Sequence, residues 1–130
     1  MSVVFDTGAL SAIFIGNEDV TKYFRRVENG SLTGYIPRVI LAEFFYKTWQ
    51  KHGRSVAEIR TIALRNSAVN EVSLDENDVF TIGRLKTTTP NLSLADCSLA
   101  AVAIRTKSIV LTTEALLLTL KEVKGKKISF

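Results

Sequence analysis

A chain of 130 residues, 46% of them hydrophobic, can bury roughly two thirds of its unfolded surface, so one domain over 1–130 is expected. The single cysteine excludes an internal disulfide. No apolar run approaches the roughly 18 residues that span a bilayer, and the start lacks the pattern of a signal peptide, so a cytoplasmic protein with no membrane partner is expected. Seventeen Lys and Arg against 13 Asp and Glu leave a net charge of +4, which favours a polyanionic partner without naming one.

In chain order, short apolar runs alternate with longer amphipathic ones, a βα pattern. The runs SVVF (2–5), TGYI (33–36), AVNEVS (68–73), SIVLT (108–112) and KKISF (126–130) are rich in β-branched and aromatic residues and read as strands. Between them lie helical stretches, GALSAIFI (8–15) and EDVTKYFRRVENG (18–30), then RVILAEFFYKTWQKHG (38–53) after Pro37 and VAEIRTIALRNS (56–67). The second half adds DENDVFTIGRLKTT (75–88), SLADCSLAAVAIRTK (93–107) and EALLLTLKEV (114–123). Two helices per crossover predict a three-layer α/β/α sandwich around a mostly parallel five-stranded sheet, with helices on both faces. The basic run KEVKGKK (121–127) reads as a solvated helix end and turn, and Cys97 as a small core residue. His52, the sole histidine, reads as a surface or capping residue.

Most acids sit in polar company, Glu28, Asp75, Glu76 and Asp78 among them, and read as solvated faces or caps. Four do not. Asp6 follows VVF, Glu43 lies inside VILAEFF, Asp96 inside LSLADCSLAA, and Glu114 follows IVLTT. Each has an ordinary explanation taken singly: Asp6 or Thr7 as a cap, Glu43 paired with Lys47 one turn on, Ser93 and Asp96 as a capping box, Glu114 at the positive end of a helix. Jointly they point elsewhere. Asp6 and Glu114 come just past the carboxyl ends of strands 1 and 4, which are neighbours at the switch point of a doubly wound order 3-2-1-4-5, where open α/β sheets bind ligands. Glu43 and Asp96 lie in the first or second turn of helices that start at the same edge. Four converging carboxylates repel one another unless a cation sits among them. With no Cys/His cluster, oxygen ligands favour Mg²⁺ or Mn²⁺ over zinc.

The segments VVFDTGAL, PRVILAEFFYK, LSLADCSLAAVA and VLTTEALL resemble, in order and over the whole chain, the successive motifs of PIN-domain ribonucleases, in particular VapC-type toxins of toxin–antitoxin pairs. That resemblance implies a metal-dependent endoribonuclease whose acidic quartet, Asp6, Glu43, Asp96 and Glu114, holds Mg²⁺ or Mn²⁺, with Thr7 and Thr112 at supporting hydroxyl positions. It also implies a homodimer, an RNA substrate and an antitoxin protein that covers the active-site groove. Two departures stand out: Gly8 where the family more often has serine or asparagine, and Glu114 where it usually has aspartate. Divalent-ion chemistry can supply the water nucleophile, the charge stabilisation and the leaving-group assistance that phosphodiester hydrolysis needs. Asp6 and Asp96 are expected to ligate directly, Glu43 to hold or orient water, and Glu114 to ligate directly or through water. Arg38, Lys47, Arg84 and Lys86 are candidate contacts to the RNA backbone. The alternatives are a catalytically inert PIN-like module that binds RNA or protein, and a receiver-like domain, whose paired acids and strand-ending lysine do not fit VVFDTG and KKISF.

Overall fold

A computed structural model describes residues 1–128. Among them the chain forms β1 (Ser2–Phe5), α1 (Thr7–Phe14), α2 (Glu18–Glu28), β2 (Thr33–Pro37), α3 (Arg38–His52), α4 (Arg54–Arg65), β3 (Asn70–Val72), α5 (Asp78–Thr88), α6 (Leu94–Thr106), β4 (Ile109–Thr112), a 3-10 turn (Leu116–Thr119) and β5 (Lys124–Lys127). The five strands make one sheet in the order β3-β2-β1-β4-β5, and every neighbouring pair is parallel. β1 occupies the centre, with Val3 beside Gly34 of β2 and Ile109 of β4. That position explains its composition: Val3, Val4 and Phe5 are fully buried, as strands covered on both faces must be.

The order is that of a sheet wound outward twice. From β1 the chain moves through β2 to β3, then returns across β1 to β4 and β5. Right-handed crossovers place the helices of these two halves on opposite faces, which gives the three layers expected. Phe5 meets Phe24 of α2 edge to face at 6.5 Å on one side, while α6 spans β1, β2 and β4. α6 carries small residues because it lies over the middle of the sheet; Cys97 to Ala103 are all buried, Cys97 completely. No helix among the described residues is long and apolar enough to cross a membrane.

Local signals account for most helix boundaries. Asp6, Asn17 and Ser93 cap α1, α2 and α6 through their side chains. Pro37 closes β2 and sits at the N-cap position of α3. Gly53, at φ +92 and ψ 164, alone separates α3 from α4, a conformation essentially restricted to glycine.

Three expectations need correction. The predicted last helix, 114–123, shrinks to the 3-10 turn at Leu116–Thr119, whose Leu117 is buried. The fifth strand starts earlier than expected, at Lys124 rather than 126, and the predicted residues 129–130 lie outside the described ones. The basic run is therefore a turn at 121–122 followed by an edge strand at Lys124–Lys127, and not a helix end. Its register, Ile109 beside Lys124 through Thr112 beside Lys127, puts Gly125 where a Cβ would meet the Val110 carbonyl oxygen at 2.5 Å. Lysines on such an edge discourage pairing with a further chain. Finally, Asp78 is not a solvated acid. It is buried at the start of α5, accepts the Asp75 N–H at 2.9 Å, and pairs with Arg105 of α6 at 3.0 Å.

Candidate active site

The first residue beyond β1 is an acid held by three hydrogen bonds. Asp6 Oδ1 accepts the Ala9 N–H at 2.7 Å and so caps α1. Its Oδ2 accepts the Thr112 hydroxyl at 2.5 Å and the Thr113 N–H at 3.1 Å. One carboxylate thus fastens the start of α1 to the end of β4. The capping role and a role at the crevice are compatible here, because the cap uses one oxygen and the strand end uses the other. Burial pushes the Asp6 carboxyl above its ordinary value of 3.8, the three hydrogen bonds oppose the rise, and negative Asp96 adds to it.

Glu43 lies in the second turn of α3. Thr7 donates its hydroxyl to Glu43 Oε1, and Lys47, one turn on, stands 3.7 Å from Oε2. The helical pair anticipated from the sequence is present, but the same carboxylate also reaches across to α1.

At α6 the structure separates the cap from the acid. Ser93 Oγ accepts the Asp96 N–H at 3.0 Å, so the start of the helix is satisfied by serine, and the half-buried Asp96 carboxylate is left to face Glu114. Glu114 is anchored by its own N–H, which donates to Thr112 Oγ1 at 2.9 Å. Its side-chain carboxyl is pushed above the ordinary 4.5, first by the negative charge of Asp96, then by burial and by Asp6, with Lys47 acting the other way. Thr112 is fully buried beneath the acids and bridges two of them.

These elements converge on one cavity of about 390 Å³ that Asp6, Glu43, Asp96 and Glu114 all line, together with Thr7 and Thr113. Lys47, Lys51, His52 and Arg60 line the same cavity. A second cavity, about 330 Å³, lies between α3 and α4 with Leu41, Phe45 and Ile62 in its walls. Of its lining side chains only Glu58 is an acid, and that one is paired with Arg54 at 2.7 Å.

The donor atoms around the acidic cavity are carboxylate and hydroxyl oxygens, with His52 at the rim as the sole imidazole. Their chemistry suits a hard divalent cation, whose charge would offset the burial that chiefly raises Asp6 and the repulsion that chiefly raises Glu114. Among the described residues, no group of three or more His, Cys, Asp and Glu side chains is already arranged to hold a metal ion.

Of the basic residues singled out from the sequence, Lys47 alone lines this cavity. Arg38 is engaged by Glu71 at 2.6 Å and by Ser73 Oγ at 2.9 Å, and Arg84 forks onto Glu122 at 3.1 and 2.9 Å. Lys86 donates to the carbonyls of Pro90 and Leu92. Sequence reasoning passed over Lys51, Arg60 and Thr113. Nothing in their local spacing marks them, since α3, α4 and the β4 end meet only in the folded chain; His52 was read as surface or cap, and it is exposed at the end of α3.

A family model described as PIN domain matches residues 3–119. The chain belongs to the PIN domain family. Comparison with curated proteins gave no match. Solved structures of similar fold include a chain of VapBC2 from Rickettsia felis bound to a DNA fragment from their promoter. It has a TM-score of 0.82 and 15% identity, over 99% of this chain and 100% of that one. DNA-bound VapBC from Salmonella typhimurium gives 0.77 and 13%, covering 99% of each chain. VapC20 from Mycobacterium tuberculosis, described as a Sarcin-Ricin loop cleaving toxin, gives 0.70 and 11%, covering 90% of this chain and 93% of that one. This PIN domain therefore shares its fold with chains of toxin–antitoxin complexes across nearly its full length.

Proposed function

We propose that this PIN domain is an endoribonuclease dependent on Mg²⁺ or Mn²⁺ and acts as the toxin of a VapBC-type pair, a cytoplasmic homodimer held in check by an antitoxin protein. The observation that carries the reading is the convergence of four carboxylates from four separate elements on one cavity, two of them held above their ordinary values by burial and mutual repulsion. Membership of the PIN family and the likeness to VapBC chains support the toxin and antitoxin parts.

A bound divalent ion would neutralise charge on the scissile phosphate and make water more acidic. Asp6 and Asp96 are the residues to hold it, with Glu114 as a further donor. Asp6 is suited to this because three hydrogen bonds fix its carboxylate, two on Oδ2 and one on Oδ1, which leaves Oδ1 a lone pair free. Glu43 is steadied by Thr7 and Lys47 and can orient the attacking water and take up its proton. Thr112 keeps Asp6 and the Glu114 backbone in register, so that α1 and the β4 end close on the substrate together.

The test is cleavage of a mixed RNA pool by the purified protein in Mg²⁺ or Mn²⁺, in EDTA, and after metal is restored, beside Asp6→Asn. Cleavage that needs metal and is lost in Asp6→Asn supports the reading. Cleavage unchanged by excess EDTA, or by the substitution, overturns it. RNA binding without cleavage in any metal would favour the inert module.

A further inference from the structure

The cavity that the acids line also holds a cation without an acidic partner. Arg60 of α4 lines the cavity, is half-buried, and forms no ion pair or hydrogen bond among the described residues. Its position is set instead by an aromatic ring: the guanidinium carbon stands 5.2 Å from the centroid of Phe14, at the end of α1. Phe14 is itself fixed, stacked on the fully buried Phe44 of α3 at 5.8 Å with 28° between the rings. An arginine over a ring face is held by its π contact while its N–H groups remain free to donate.

Other arginines show what this chain does with a guanidinium that serves the fold. Arg38, Arg54, Arg65, Arg84 and Arg105 each carry a carboxylate within 3.0 Å. Among the described residues Arg25 and Arg26 of α2 also lack a carboxylate but are exposed, whereas Arg60 is unpaired while half-buried in the cavity that the four acids line. A guanidinium there, half desolvated and unpaired, is matched to a planar or tetrahedral oxyanion that bridges the cavity. Lys51 and His52, next to the Gly53 turn, line the same cavity.

We propose that Arg60, seated on Phe14, is a phosphate-binding residue that holds a phosphodiester of single-stranded nucleic acid next to the one facing the carboxylates. The inference rests on the nuclease reading for the identity of its ligand. It assigns Arg60 the work of fixing the strand's register across the cavity, with Phe14 limiting the rotamers it must give up on binding. A carboxylate of a partner protein is the competing occupant. The observations favour phosphate, because the chain carries a net charge of +4, which draws a polyanion such as RNA more strongly than a single carboxylate.

The experiment is fluorescence anisotropy of a short single-stranded RNA in EDTA over a salt series, for the wild-type protein, Arg60→Gln, Arg60→Lys and Arg54→Gln. Each phosphate contact on a single strand contributes about 0.7 to the slope of log affinity against log salt. Arg60→Gln should lower affinity several-fold and flatten the slope by roughly that amount. Arg60→Lys should keep the slope, and Arg54→Gln, which touches Trp49 and Glu58 outside the cavity, should change neither. Thermal melts of each protein check that the fold is retained.

An Arg60→Gln protein with wild-type affinity and slope, while wild type binds and cleaves RNA, would overturn the phosphate role and leave the nuclease reading standing. Loss of slope in Arg60→Gln with no cleavage by wild type in any metal would do the reverse. If Arg60→Gln leaves RNA binding intact but abolishes binding of an antitoxin peptide, the occupant is a protein carboxylate and the proposal fails.

Discussion

Gly8 and Thr113 occupy one space: a Cβ on residue 8 would lie 2.1 Å from Thr113 Oγ1, 2.7 Å from its Cγ2 and 2.9 Å from its Cβ. The missing side chain at position 8 is therefore filled from the other side of the crevice, by a threonine whose N–H also holds Asp6. Thr113 is β-branched and stiff, so it cannot easily swing away. Gly8→Ala should cost about 1–3 kcal/mol, the usual range for overpacking, and should reduce cleavage by displacing the Asp6 tether. Thr113→Ala in the same chain removes the two nearest contacts and should recover much of that loss. Chemical denaturation of the four proteins in the cycle reads the coupling; strictly additive effects would show that the two residues do not compete for space.

A second expectation concerns Glu114, whose carboxyl is raised chiefly by Asp96. A folded-state value above the unfolded one means the native state binds more protons, so this group's favourable contribution is present below 4.5 and is lost as pH climbs through the raised value. In EDTA at neutral pH, Glu114→Gln should therefore be at least as stable as wild type, and the advantage should vanish near pH 4. Metal should reverse the order, because an ion at a hundred times its dissociation constant stabilises the wild-type native state by about 2.7 kcal/mol. Melting temperatures with EDTA and with saturating Mg²⁺ or Mn²⁺, at both pH values, test this. A wild type less sensitive to metal than Glu114→Gln would remove Glu114 from the cluster.

Arg105 carries a structural rather than a catalytic burden. It reaches Asp78 at 3.0 Å, Asp75 at 3.5 Å and the Ser73 carbonyl at 3.2 Å, joining α6 to the loop before α5. Since the Asp78 side chain is only 3% exposed, Arg105→Met leaves an uncompensated buried carboxylate and should cost about 3–5 kcal/mol. Urea unfolding measures it. The same substitution should leave the salt slope of RNA binding unchanged, which separates it from Arg60→Gln.

Gly53 offers a test with no packing component. Nothing lies within 4 Å of where its Cβ would be, yet its backbone sits at φ +92. Gly53→Ala should destabilise by about 1–3 kcal/mol through backbone strain alone. The strain should also loosen the α3–α4 turn that aligns Lys51 and His52 with Arg60, so RNA affinity should fall along with stability. Equal stability in Gly53→Ala would mean that the turn can relax without cost.

How much of this was legible in the chain follows from the range of the interactions involved. The strands and the four acids could be read because each leaves a local mark, a β-branched run or a lone carboxylate in apolar company, while the strand order came from the fold type that the βα alternation implies. Glu114 was legible as an acid past a strand, but the helix predicted after it was not formed. The run LLLTL has helix-like composition, yet the chain must turn within it to lay Lys124 beside Ile109, and only a 3-10 turn fits. Asp78 was misjudged because its neighbours DEN are polar; its burial is decided by an arginine 27 positions away. Arg60 and Thr113 carry no local mark at all, since the first depends on how α4 docks against α1 and the second on the space left by Gly8.

The bond between Asp6 and Thr112 spans 106 positions, nearly the whole chain. During synthesis, the first carboxylate of the cavity leaves the ribosome long before the hydroxyl and amide that hold it. At 5–20 residues per second the interval is on the order of 5–20 s. Throughout that time β1 lacks β4 as a neighbour and the crevice has only one wall. The cavity therefore closes only once β4 has emerged, and a chain interrupted before residue 112 exposes its first acid without ever assembling the site around it.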